Sequence, residues 1–310
     1  IFNVWIGMNN ITAAAQISTF TFIFIILLLL TEMYSRSRKR FNDTSKKQTV
    51  AKPKMVTGFK AVLLYVVCLT PVIFGFVTPA AILLWNVVKS ADLAAFRAVI
   101  DVLQNSLFIA TLGAGLIMGS AILVASAAKY NGSRIIQVVG NLSATGYAFP
   151  GTMLAIGVLV FLGFVDRGIN AVSLGFGNVY LSGTILALLF AYLVRFQAVG
   201  YGSVSSGLTK IPPNLIACSR SLGMTSHSTM RRITIPLIRN SIIAGGVLAF
   251  VDIMKELPMT LLLRPFDFET LATYSYQFAH DELMDQASLP ALVIVVVGLI
   301  PVVFLNRLLR

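Results

Sequence analysis

Few residues in this chain carry chemistry, and they are bunched. "FVDIMKELP", residues 250–258, puts Asp252, Lys255 and Glu256 at the end of an apolar run. Carboxylate oxygens are the ligands that a hard cation prefers. Ionisable groups at membrane depth are costly, so they face protein or a water-filled path. The trio therefore reads in two ways: as the wall of a polar path, or as a Lys–carboxylate pair fixing a helix end beside one. Pro150-Gly151 in "YAFPGT" can kink or break a helix, and such breaks at membrane depth border cavities. His280, Asp281, Glu282 and Asp285 form an acidic segment. It reads as a solvated loop able to attract a cation or a partner protein. One histidine among flexible acids is not a metal-ligand pattern, and no metal site is expected. Cys68 and Cys218 make neither a disulfide framework nor a metal-ligand spacing, so two free thiols are expected.

The elements that must position these residues are membrane helices. Of the 310 residues, 57% are hydrophobic and 12% charged, and the mean hydropathy is +0.85. Soluble domains carry about a quarter charged residues. The net charge of +12 then reflects the collection of Lys and Arg on the cytoplasmic side, not a nucleic-acid partner. No G-x-x-x-x-G-K-[ST] loop, Ser/His/Asp arrangement or H-E-x-x-H occurs. The chain carries no enzyme signature, cannot hydrolyse ATP by that route, and calls for no cofactor.

A bilayer core needs about 20 apolar residues in a helix. Seven stretches qualify: 11–33, 61–88, 106–128, 138–164, 179–199, 241–262 and 288–306. Most Lys and Arg fall in 34–60, 129–134, 195–240 and the tail, and most acids fall in the alternate loops. That split places Ile1 outside and Arg310 in the cytoplasm. Segment 34–60 reads as a basic cytoplasmic linker. Arg195, near an inner span end, is expected to snorkel to the surface. Leu93, Phe96, Ile100 and Leu103 give 91–106 an apolar stripe, so an interfacial helix is expected to feed the next span. Gly115 and Gly119 are spaced for close helix packing.

The two ends echo each other. "IFNVWIGMNNITAAAQI" aligns with "TYSYQFAHDELMDQASL", pairing Asn9 with Asp281, Ile11 with Leu283 and Ala15 with Ala287. The start at Ile1, without a Met or a signal peptide, fits an internal piece of a longer protein. Residues 1–33 then read as the last span of an upstream copy, and 61–310 as a six-span copy.

Within the basic region, "SRSLGMTSHSTMRRITIP" (219–236) is polar amid apolar sequence. Pro212-Pro213 can start a helix. Gly223 can end it in the left-handed conformation, and Thr225 or Ser226 can cap a second one. Pro236 marks the next start. The segment is either an amphipathic loop resting on headgroups or a docking element for a cytoplasmic partner.

This segment resembles the EAA loop of importer-type ATP-binding-cassette permeases, the MetI-like family. Gly223 fills the motif glycine, Ile233 its aliphatic position and Ile235-Pro236 its Leu-Pro pair. Ala217-Cys218-Ser219 stand where the family has Glu-Ala-Ala, so the acidic residue is missing. "GYAFPGTMLAIG", "AYLVRFQAVG" and "MKELPMTLLLRPFDFETLATYSY" are similar to the second half of two-copy, ferric-iron-type permeases. The resemblance covers essentially 55–310. It implies an all-α polytopic helix bundle, a six-span permease core plus one preceding span, in a bacterial inner membrane. Its coupling loop, at about 205–240, would ride in a cytoplasmic ATPase dimer. It also implies a periplasmic binding protein as donor, an upstream permease half, ferric iron as substrate and alternating access. Thiamine, a polyamine or a phosphonate are rival substrates. An ion-coupled secondary transporter is a further rival, but such a protein has no reason to carry the loop.

Overall fold

The computed structural model describes residues 1, 3–8, 10–38, 55–90, 92–130, 134–143, 145–172 and 180–308. Most of the basic linker, 39–54, and the last two residues lie outside these. Among the described residues the regular elements are all helical.

Asn10 accepts a hydrogen bond from the Ala13 amide (2.9 Å) and so caps α1 (Ile11–Arg38). α2 (Phe59–Val72) runs through a π-helical turn at Ile73–Val77 into α3 (Thr78–Lys89). α4 (Leu93–Tyr130) is one unbroken helix of 38 residues, about 57 Å long at 1.5 Å per residue. The expected interfacial helix is thus the first part of α4. Leu93, Phe96 and Ile100 are exposed, while Val99, Val102, Ser106 and Ile109 are buried. In lipid an apolar stripe need not face protein, and here the small and branched residues do.

The expected span 138–164 is divided. α5 (Arg134–Ser143) ends before a tight turn at Gly146–Ala148, and α6 (Gly151–Val172) begins after Pro150. Proline has no N–H to donate, so it sits at a helix start without loss. Asp166 closes the connection onward. It accepts from the Leu181 and Ser182 amides (2.8 and 3.2 Å) and from the Ser182 hydroxyl (2.6 Å). Thr184 then caps α7 (Ile185–Thr209).

The segment after α7 makes α8 (Pro213–Ser221), α9 (Ser226–Thr229), a π-helical turn at Met230–Thr234 and α10 (Ile235–Leu237). It meets α11 (Arg239–Met254) at a bend of 73°. The expected span 241–262 stops short, because α12 (Pro258–Leu263) is a separate helix. α13 (Leu271–His280), capped by Thr270, and α14 (Met284–Leu308) complete the chain.

Five helical stretches among the described residues are long and apolar enough to cross a bilayer, or six if the bent pair is one span. α4, α7 and α11 pack together at the centre, around Ile109, Ile117, Tyr192, Ala249 and Ile253. Glycines set that spacing. A Cβ on Gly200 would lie 2.9 Å from Ile117 Cγ2 and 3.0 Å from Ala121 Cβ. Gly113 and Gly245 face similar crowding, whereas Gly115 and Gly119 face open space. The close-packing glycines are therefore not the pair that the spacing suggested. α2 has no buried residue, as suits a helix solvated by lipid tails. Both cysteines are free and exposed.

Gly200→Val should lower the melting midpoint of the protein in detergent, by an overpacking cost of about 1–3 kcal/mol. Gly115→Ala should leave the midpoint unchanged or raise it, because helix propensity improves and nothing is touched.

Candidate functional site

α11 has 16 residues, about 24 Å, which is less than the roughly 30 Å of a bilayer core. The chain breaks at Lys255-Glu256, after a helix too short to cross that core by itself. A break leaves peptide groups without helical partners. Glu256 answers both needs here. Its Oε1 accepts the Met259 amide at 3.0 Å, satisfying the start of α12, and its backbone carbonyl accepts the Thr260 hydroxyl at 2.7 Å. Thr260 in turn shares a hydrogen bond with the buried Tyr192 hydroxyl.

A carboxylate that is 7% exposed needs a counter-charge. Arg195, near the middle of α7, supplies it. Its Nη1 donates to both Glu256 oxygens, at 2.9 and 3.0 Å. The guanidinium also lies 5.5 Å from the Phe196 ring centroid. Arg195 thus does not snorkel to a surface, contrary to the sequence expectation, because a carboxylate at the same depth holds it.

Gly151, the first residue of α6, seats against this pair. A Cβ there would collide with Arg195 Nη1 and lie 2.9 Å from Glu256 Oε1. Gly146 approaches the Val194 carbonyl so closely that any Cβ would strike it. Of the sequence candidates, Pro150, Gly151 and Glu256 thus come together, with Arg195 as the member that sequence reasoning missed. Its signal was present: one cation in the apolar run "ALLFAYLVRFQAVG" needs an acid at equal depth.

Asp252 and Lys255 pair with each other instead, at 2.9 Å, with Lys255 61% exposed and Asp252 14%. Beside this cluster, Ser120 donates to Gln197 Oε1 at 2.7 Å. Both line a cavity of about 370 Å³ together with Thr145, Gly146 and Phe149. Its chemistry is hydroxyl and amide oxygen over an apolar floor. His280 and Asp281 lie 3.4 Å apart and exposed.

The loop candidates lie at the other end of α11. Gly223 has φ +80, the left-handed conformation that costs glycine nothing. It stops α8, and Thr225 caps α9 by accepting the Ser228 amide at 3.3 Å. Ser219 and Thr229, both buried, share a hydrogen bond of 3.0 Å that ties the two helices across the turn. Cys218 is exposed. Ile233 lies in the π-helical turn, and Ile235-Pro236 open α10.

Residues 112–310 match the family described as "Binding-protein-dependent transport system inner membrane component". The chain belongs to this family. Among relatives, the member is 27% identical over 213 residues to an Fe(3+)-transport system permease protein, FbpB 2, of Haemophilus influenzae. That match covers 68% of this chain and 40% of the relative. It is 25% identical over 162 residues to a putative 2-aminoethylphosphonate transport system permease protein, PhnV, of Salmonella paratyphi A, covering 52% of this chain and 56% of the relative. The chain thus spans only about half the length of such relatives.

The fold is that of solved permeases. A bacterial transporter that imports the acidic polysaccharide alginate aligns with TM-score 0.64 at 19% identity, covering 80% of this chain and 95% of that one. An inward-facing MetNI methionine transporter aligns with TM-score 0.53 at 14% identity, covering 71% and 98%.

In this family member the buried ion pair makes a specific energetic statement. Removing one partner strands the other charge, at a cost of about 3–5 kcal/mol. Glu256→Gln and Arg195→Met should each lower the midpoint of thermal unfolding in detergent. The double variant Arg195→Met/Glu256→Gln should be less destabilised than the sum of these two single variants.

Proposed function

We propose that the chain is the membrane permease part of an ATP-binding-cassette importer, carrying no ATPase of its own. The observation that carries this reading is the helix–Gly223–helix loop, projecting from one end of a bundle whose family serves binding-protein-dependent transport. The loop docks on a separate cytoplasmic ATPase dimer, with Ala217, Cys218, Gly223, Ile233, Ile235 and Pro236 at the contact and the buried Ser219 holding its shape from within. Most Lys and Arg fall in alternate connecting segments of the sequence, the loop among them, which supports a cytoplasmic loop and a cytoplasmic C-terminus. A periplasmic binding protein delivers substrate at the opposite end.

α1 is the last span of an upstream permease half, and residues 61–310 are a six-span core. Five apolar helices plus the bent pair support that number. α1 docks on the core through Phe22, stacked 5.3 Å from Phe149. The path borders the break held by Arg195, Glu256 and Gly151, with Pro150, Asp252 and Lys255 beside it. Closure of the ATPase dimer tilts α8–α10, and the bundle alternates its access.

Ferric iron is the proposed substrate. The longer relative's name and the "MKELPMTLLLRPFDFETLA" run support it. A phosphonate is the second reading, supported by the other relative.

Two measurements test this. Radiolabelled ferric-iron uptake, by the full-length transporter in cells lacking their own ferric permease, should exceed background; uptake of 2-aminoethylphosphonate instead would sink the iron reading. Gly223→Leu should abolish uptake while leaving the membrane level of the protein unchanged, because a side chain is strained at φ +80. Normal transport by that variant would rule out the docking role of the loop.

A further inference from the structure

The loop of α8–α10 touches the bundle through apolar packing of Ile211, Ile216 and Ile238 against Leu208 and Ala125. One polar tie reaches α4 directly. Tyr130, the last residue of α4, shares a hydrogen bond with Thr234, which is 1% exposed. Next to it, the Lys129 ammonium donates to the Leu208 carbonyl at the end of α7. Beside this tie, a groove of about 290 Å³ lies between Leu123 and Tyr130 of α4 and His227 and Met230 of the loop.

α4 is suited to carry a displacement. Its 38 residues contain no proline and no break. α11, which follows the loop in sequence, leaves it through the 73° bend and breaks again at Lys255. α4 is also tied further toward its other end. The Ser106 hydroxyl accepts the Leu271 amide at 2.7 Å, and Asn105 Nδ2 donates to the Glu269 carbonyl at 3.3 Å. Those bonds hold the start of α13, where Glu269 also pairs with Arg264.

We infer that Tyr130 is a positioning residue for coupling: through its bond to Thr234, movement of the loop reaches α4, and α4 passes it to the start of α13 on the far side of the bundle. The inference rests on the docking role proposed for the loop. Tyr130 touches neither substrate nor ATPase. It acts by making the loop and α4 move as one.

The test uses the full-length transporter copurified with its ATPase, together with the substrate-loaded binding protein, in liposomes. Tyr130→Phe and Thr234→Val should copurify with ATPase and melt as the unaltered protein does. Transport per ATP hydrolysed should fall by about tenfold in each. Thr234→Ser, which keeps the hydroxyl, should retain coupling, and the double variant Tyr130→Phe/Thr234→Val should be no worse than either single one. Unchanged coupling in the two single variants, an equal loss in Thr234→Ser, or loss of ATPase copurification in Tyr130→Phe would each overturn the inference. If the unaltered transporter itself holds no ATPase, the docking reading fails, and the inference falls with it.

Discussion

An arginine in the middle of an apolar helix has to find an anion, and here the requirement organises the bundle. Arg195 on α7 and Glu256 at the break after α11 hold each other at 2.9 Å. Neither charge is tolerable alone at that depth. The pairing fixes where α11 stops, because the same carboxylate receives the first peptide of α12. The start of α6 seats against the same pair, where Gly151 leaves room for the guanidinium. Three helix ends therefore meet at one electrostatic contact.

Much of this was legible in the sequence, where the signal is local. Apolar length revealed 61–88, 106–128, 179–199 and 288–306, though not the breaks inside 138–164 and 241–262, and Gly223, Thr225 and Pro236 revealed the helix–turn–helix shape of the loop, because caps and left-handed turns are set by neighbouring residues. What was not legible is which face of a helix meets its neighbours: in a bilayer both sides are apolar, so Leu93, Phe96 and Ile100 gave no clue that Val99 and Val102 face inward. Gly115 and Gly119 fitted a spacing rule, yet the crowded positions are Gly113, Gly200 and Gly245, and only the neighbouring helices decide that. Arg195 was read with the basic residues that follow it, and its partner lies 61 positions away.

The two polar regions differ in kind. The cluster around Arg195 joins three helix ends through a largely buried ion pair, so it sets positions. The loop is built from short helices joined by the Ser219–Thr229 hydroxyl hydrogen bond and tied to α4 at Thr234, with exposed residues between them. A rigid interior and a surface handle attached to it at few points are what a device needs if force applied at one end is to move large pieces without melting them.

The turn at Gly223 has one more consequence. Its shape is set by the chain itself, through a left-handed glycine, a threonine cap and a bond between Ser219 and Thr229. A protein that docks there meets a surface already folded, and little conformational entropy is lost in forming the complex. Affinity at such a contact can come from a few apolar side chains. A carboxylate at the place of Ala217 would then be an addition to the contact, not its foundation.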